Sequence, residues 1–117
     1  MSRRKVIKFY DHVWRVSYCV IFGGTKQQAY EHCCKLNGET PSDSFIGSRA
    51  DASTFYNEGR KTVVFWFASN KPGLGLIAHE AVHAAVFVLS TSGMKIELEY
   101  DEALAYYVQY LCEKITG

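Results

Sequence analysis

The sequence predicts a single α+β domain, 1–117, from the order of its strand-like and helix-like segments. Residues 5–22 and 61–68 are rich in Val, Ile, Phe, Tyr and Trp, which is typical of β-strands. Residues 74–91 and 102–115 are long, contain no proline and are bounded by residues that start or end helices. This order favours a short mixed sheet with helices packed against it. A chain of 117 residues can bury such a core without disulfides.

The N-terminal half is predicted to begin with strand structure and continue into a helix. Residues 5–22 favour one long strand or a hairpin that bends near Asp11. Thr25 is a suitable N-cap, because its hydroxyl can accept from a backbone N–H of the first helical turn. The helix is expected over 26–36 and to end before Gly38.

The C-terminal half is predicted to contain two strands and two helices. Gly93 suits the position after a helix, and Asp101 suits an N-cap. The predicted elements are, in order, a weak strand over 45–56, the clearest strand over 61–68, and helices over 74–91 and 102–115.

Composition and charge argue against several classes of protein. The net charge is +1, which gives no reason to expect a nucleic-acid or membrane protein. The apolar run 74–89 carries His79, Glu80 and His83 near its middle, and this disfavours a membrane span. The cysteines form no C-x-x-C pair, so thiols in a reducing cytoplasm are the simplest interpretation. We therefore expect a soluble cytoplasmic protein.

The chemistry is predicted to lie in the motif His79-Glu80-Ala81-Val82-His83, an H-E-x-x-H on a helix. Helical residues four apart share a face, so the two imidazoles can bind one ion, and Zn²⁺ is the usual one. Glu80 lies about 100° around the helix. From there it can take the proton of a metal-activated water without being a ligand.

The surroundings of the motif are apolar on every side of the helix, which predicts that the helix is buried. Two histidines and a glutamate buried in one turn need polar partners, and a metal ion supplies them. The alternative is a pair of core histidines satisfied by hydrogen bonds.

A third ligand is expected from elsewhere in the chain, because a catalytic zinc keeps three protein ligands and an open position. Eighteen residues separate His83 from Glu102, enough for one helix to end and a second to pack back towards the metal. Glu99 and Asp101 are alternative ligands at similar spacing.

The pattern HExxH-x18-E is similar to that of the gluzincin metallopeptidases, including the zinc aminopeptidases of that clan. The stretch from His79 to about Tyr110 also resembles short zincin-like proteins encoded by tailed bacteriophages. This resemblance implies that the cytoplasm could be that of a phage-infected bacterium. It covers roughly 61–113. It implies that His79, His83 and Glu102 bind zinc and that Glu80 is the general base.

The resemblance also implies a protein or peptide substrate that pairs with an edge strand, for which 63–68 is the natural match. Tyr106 stands where thermolysin-like members carry an Asp that orients a zinc histidine, and Asp101 is then the nearest candidate for that task. Tyr106 is instead our first candidate for stabilising the oxyanion, followed by Tyr100 and Tyr107. Packing is the competing interpretation for these tyrosines.

Two other functions remain open from the sequence. The chain is either a zinc metallopeptidase or a catalytically idle zinc protein that binds a host factor. A nucleic-acid-associated zincin of the SprT type is a third reading, supported only by the basic residues Arg3, Arg4, Lys5 and Lys8.

Overall fold

The computed structural model describes residues 5–40, 51–94 and 101–117, and of residue 101 the backbone alone. These residues form an α+β fold of four strands and three helices, as predicted. In chain order the elements are β1 (Lys5–Asp11), β2 (Val16–Phe22), α1 (Lys26–Leu36), β3 (Ala52–Asn57), β4 (Thr62–Phe67), α2 (Leu74–Thr91) and α3 (Asp101–Thr116).

The sheet is mixed and has the strand order β1-β2-β4-β3. β1 and β2 form an antiparallel hairpin, β2 runs parallel to β4, and β3 returns antiparallel on the outer side of β4. Among the described strands, β1 and β3 are therefore the outer two. The prediction that 63–68 is the edge strand is wrong, because β4 has a hydrogen-bonded neighbour on both sides. Its side chains from Val63 to Phe67 are buried on both faces, as expected of an interior strand.

Local sequence signals explain most of the element boundaries. Asp11 ends β1, and its carboxylate accepts hydrogen bonds from the backbone N–H of Val13 and Trp14, which closes the hairpin turn. Thr25 caps α1 in a reciprocal capping box with Gln28. The predicted helix bounds 26–36 and 74–91 are confirmed, and α3 extends the prediction by one residue at each end.

Two layers of helix cover the sheet. α1 packs on one face, over a small cluster that includes Cys19, Cys33 and Trp66. α2 and α3 pack side by side on the other face, over the larger core. The weak strand prediction 45–56 is confirmed from residue 52 onward, and its first part lies outside the described residues.

The helix α2 is only partly buried. Its inner face contributes Ala81, Ala84 and Val88 to the core, whereas Val82 and Phe87 are 42% and 44% exposed. The expectation that this helix is buried all round is therefore wrong, because one face of the sheet covers only one side of it. By length and hydropathy alone α2 could cross a membrane, with a mean hydropathy of 1.5, but here it is a helix of a globular domain.

A closed polar cluster lies between the β1–β2 hairpin and α3. The hydroxyl of Tyr107 donates to Asp11 Oδ2 over 2.5 Å, and the hydroxyl of Tyr18 lies 2.5 Å from that of Tyr107. All three residues are buried. Burial raises the pKa of both tyrosines well above the ordinary value, so both stay neutral hydrogen-bonding groups.

Candidate metal centre

The helix α2 brings His79, Glu80 and His83 together. One potential ligand atom from each residue lies within 4.8 Å of the others. Among the described residues, this is the group that could hold a metal ion. The apolar inner face of α2 fixes the helix on the sheet, and that orientation sends both imidazoles outward to solvent.

The two imidazoles converge through the same ring nitrogen. His83 Nε2 lies 3.2 Å from His79 Nε2, with the rings edge to face. Two nitrogens that bind one tetrahedral zinc at 2.0–2.1 Å are separated by about 3.3 Å. The spacing fits a shared metal ion, and it is equally the length of a hydrogen bond between one protonated and one unprotonated ring nitrogen.

Glu80 is the buried member of the group, with 6% of its surface exposed. Its Oε1 accepts a hydrogen bond of 2.7 Å from the hydroxyl of Thr54 on β3. Its Oε2 lies 4.0 Å from His79 Nε2. The carboxylate thus has one oxygen held by the sheet and the other turned towards the imidazoles.

The histidines themselves are exposed, and His79 shows 64% of its side chain to solvent. This corrects the argument that they are buried and need a metal for compensation. The alternative of two core histidines is wrong in its burial, whereas its hydrogen bond is present, since His83 Nε2 lies 3.2 Å from His79 Nε2. The case for a metal now depends on how closely the two nitrogens approach.

Glu102 does not belong to this group, and the course of α3 gives the reason. Tyr107 contacts Asp11 at the hairpin end of the sheet, and Tyr110 packs edge-on against Phe9, further along β1. Glu102 lies five residues before Tyr107, about 7.5 Å further along the helix axis. Its side chain is exposed.

The histidines lie towards the opposite end. Thr91, at the end of α2, contacts Tyr56, whereas Glu80 contacts Thr54 two residues along β3. Tyr56 is in register with Val63, and Val63 with Tyr18 of the hairpin. The end of α2, not its middle, is therefore level with the part of the sheet that α3 first meets. Ligation by Glu102 stays a prediction of the resemblance.

The other candidates on or before α3 are placed away from the histidines or lie outside the described residues. Tyr106 is 67% exposed on the outer side of α3, four residues after Glu102. Tyr107 is buried, in agreement with the alternative interpretation that it is a packing residue. Glu99, Tyr100 and the side chain of Asp101 are outside the described part of the chain.

Of the described basic residues near the N-terminus and the remaining histidines, none belongs to this group. Lys5 and Lys8 are exposed on β1, while Arg3 and Arg4 lie outside the described residues. His12 packs against Tyr10, and His32 Nε2 lies 3.8 Å from the sulfur of Cys19.

Thr54 is the residue of the site that sequence analysis missed. It lies in a strand with no motif of its own, 26 positions before Glu80. Its role depends on how β3 pairs with β4 and faces α2, so no local pattern could have indicated it.

A cavity of about 490 Å³ lies elsewhere on the molecule. Its lining includes Lys8, Tyr10 and Leu36, on the side of the sheet that α1 covers. None of the motif residues lines it. The candidate metal centre is thus a surface site on a helix and not the floor of that cavity.

Comparisons of the chain with protein-family models, with curated proteins and with solved structures gave no match. The indication of function therefore comes from the geometry of the motif and from the chemistry of its residues.

Proposed function

We propose that this chain is a zinc-dependent metallopeptidase of the zincin type. The observation that carries the proposal is the 3.2 Å approach of the Nε2 atoms of His79 and His83, beside the buried carboxylate of Glu80. The hydrolytic part of the proposal follows from this donor set, and the peptide substrate follows from the resemblance of the H-E-x-x-H pattern.

The residues have distinct roles in this proposal. His79 and His83 bind the ion through Nε2. When bound, zinc supplies a Lewis acid that polarises the scissile carbonyl and acidifies water. Glu80 accepts the proton of that water at Oε2, which faces the imidazoles. Glu102 as third ligand and Tyr106 as oxyanion donor come from the resemblance and the motif spacing, and the placement of α3 gives them no support.

The setting fits a substrate that approaches from solvent. The imidazoles are exposed on α2, so a peptide or protein can reach them without opening a cavity. The four cysteines, all among the described residues, are thiols and three of them are buried. This supports a cytoplasmic location, which we retain as part of the proposal.

Zinc content and hydrolysis, measured together on wild type and Glu80→Gln, test the proposal. We expect one zinc per chain in both proteins. Hydrolysis of fluorescein-labelled casein or of a mixed fluorogenic peptide set should fall by about 100-fold or more in the variant, since it loses the general base. Equal hydrolysis in the two proteins would exclude Glu80 as the base. Wild type that takes up no zinc would end the proposal.

A second candidate is a zinc protein that binds a partner without hydrolysis. It is favoured by the exposed apolar side chains Val82 and Phe87 on the helix that carries the histidines. Wild type and Glu80→Gln would then bind zinc equally and neither would cleave any substrate of the set.

A further inference from the structure

The carboxylate of Glu80 has an unusual environment. It is buried on the inner side of α2 and yet lies next to an exposed histidine. A buried carboxylate is costly unless hydrogen bonds satisfy it. Its short hydrogen bond comes from the Thr54 hydroxyl, which donates to Oε1 over 2.7 Å. A longer contact of 3.4 Å joins the same hydroxyl to the backbone carbonyl of Glu80.

Thr54 is itself held in place by the sheet. It lies in the middle of β3, in register with Phe65 of β4. Two residues further along, Tyr56 stacks on Phe87 and its hydroxyl lies 2.9 Å from that of Thr91. β3 and α2 are therefore joined at two points, so the Thr54 hydroxyl has a fixed position relative to the helix.

The Thr54 hydroxyl has a single hydrogen, which it donates in a hydrogen bond of 2.7 Å to the carboxylate oxygen. Oε1 is thereby hydrogen-bonded to the sheet, whereas Oε2 lies 4.0 Å from His79 Nε2. A carboxylate tethered in this way presents one oxygen to a metal-activated water. It is also restrained from rotating outward to become a ligand beside the histidines, with which it shares the group.

We propose that Thr54 is a positioning residue that tethers one oxygen of Glu80, keeps the carboxylate out of the metal's coordination sphere and reserves it as a base. This inference rests on the proposed function for its catalytic consequence. Its geometric part, the coupling of Thr54 to Glu80 in metal binding, is independent of hydrolysis.

The test is a double-mutant cycle in the full chain, read first by metal affinity. Thr54→Val removes the hydroxyl at nearly constant volume. We expect Co²⁺ and Zn²⁺, measured by competition with a chromophoric chelator, to bind severalfold more tightly to Thr54→Val, since the released carboxylate can ligate. The gain should vanish in Thr54→Val/Glu80→Gln. The Co²⁺ absorption spectrum should change in Thr54→Val and return towards that of wild type in the double variant.

Hydrolysis is the second readout. Thr54→Val should lower kcat by about 10–100-fold, the usual effect of losing a partner of this kind, with KM little changed. Thr54→Ser keeps the hydroxyl and should restore both affinity and kcat. Thr62→Val is the matched control, because its hydroxyl is on β4, away from α2, and bonds only weakly to the Arg60 carbonyl at 3.3 Å.

Two results would overturn the role of Thr54. One is an additive cycle, in which Thr54→Val changes metal affinity equally with and without the Glu80 carboxylate. The other is a Thr54→Ser variant that behaves like Thr54→Val although both remain folded. If wild type itself hydrolyses nothing, the proposed function fails, and the affinity cycle still decides whether Thr54 tethers Glu80.

Discussion

Two polar clusters lie on the same face of the sheet, one beneath α3 and one on α2. In the first, the hydroxyl of Tyr107 is satisfied by Asp11 and Tyr18, and the cluster is closed to solvent. In the second, His79 and His83 place two nitrogens together at the surface. A closed hydrogen-bonded cluster joins elements of the fold, whereas converging donors open to solvent are available to a ligand.

The comparison predicts that each cluster can be altered without affecting the other. Variants of the hairpin cluster should change the free energy of unfolding and leave metal binding intact. Variants of the histidines should abolish metal binding and leave the free energy of unfolding of the metal-free protein unchanged.

The largest effect is expected for His83→Ala. Zinc at about 100 times its Kd should raise the unfolding free energy of wild type by about 2.7 kcal/mol, and the variant should lose this increment. Without metal, its stability should stay within about 0.5 kcal/mol of wild type, because the side chain is exposed. Urea unfolding with and without zinc measures both. An intact zinc increment in His83→Ala would remove the histidine pair as the metal site.

Tyr107→Phe should lower the unfolding free energy by about 1–3 kcal/mol, because Asp11 loses a buried hydrogen-bond donor. Its zinc increment should equal that of wild type. Tyr106→Phe is the matched control and should be neutral, since that side chain is 67% exposed. Hydrolysis that survives in Tyr106→Phe would also remove Tyr106 from the catalytic residues.

The pH dependence sharpens the same prediction. Burial raises the pKa of Tyr107 and Tyr18 above the ordinary 10.0 in the folded chain. Above pH 10 the unfolded chain loses protons that the folded chain keeps, so stability should fall as the pH rises past that value. In Tyr107→Phe the fall should be shallower by about 1.4 kcal/mol per pH unit. Equal slopes in the two proteins would contradict the buried, neutral tyrosine pair.

The smallest effect is expected for Glu102→Ala. The side chain of Glu102 is exposed and lies outside the group of His79, Glu80 and His83, so zinc affinity should change by less than about threefold. Zinc content and affinity, measured beside His83→Ala, check this. A loss as large as that of His83→Ala would establish Glu102 as the third ligand, as the gluzincin resemblance implies, and would require α3 to move when metal binds.

The bounds of a helix can be predicted from the sequence where capping residues lie at its ends. Thr25 and Gln28 form the capping box that starts α1, and Gly93, with a φ of +92°, follows α2 in a conformation that favours glycine. The convergence of His79 and His83 follows from helical spacing alone. These features are local, so a single segment determines them.

Features that depend on distant segments were predicted less well. The run from Val63 to Phe67 contains no polar residue, which is typical of an interior strand, and β4 is paired on both sides. The resemblance to zincins implies an edge strand at 63–68, and this local pattern contradicts it. The spacing from His83 to Glu102 limits how far apart the two residues can lie, yet it does not fix the axial position of α3 on α2. That position is set by Tyr107 and its contacts with the hairpin.

The double attachment of β3 to α2 has a dynamic consequence. Edge strands ordinarily open locally more often than the strands inside a sheet. Here the outer strand shares side-chain hydrogen bonds with two points of α2, Glu80 and Thr91. We therefore expect its amide hydrogens to exchange together with those of the helix. A local opening that separates β3 from the sheet should break the hydrogen bond to the Glu80 carboxylate. The spacing of the imidazoles should not change, because α2 alone positions them.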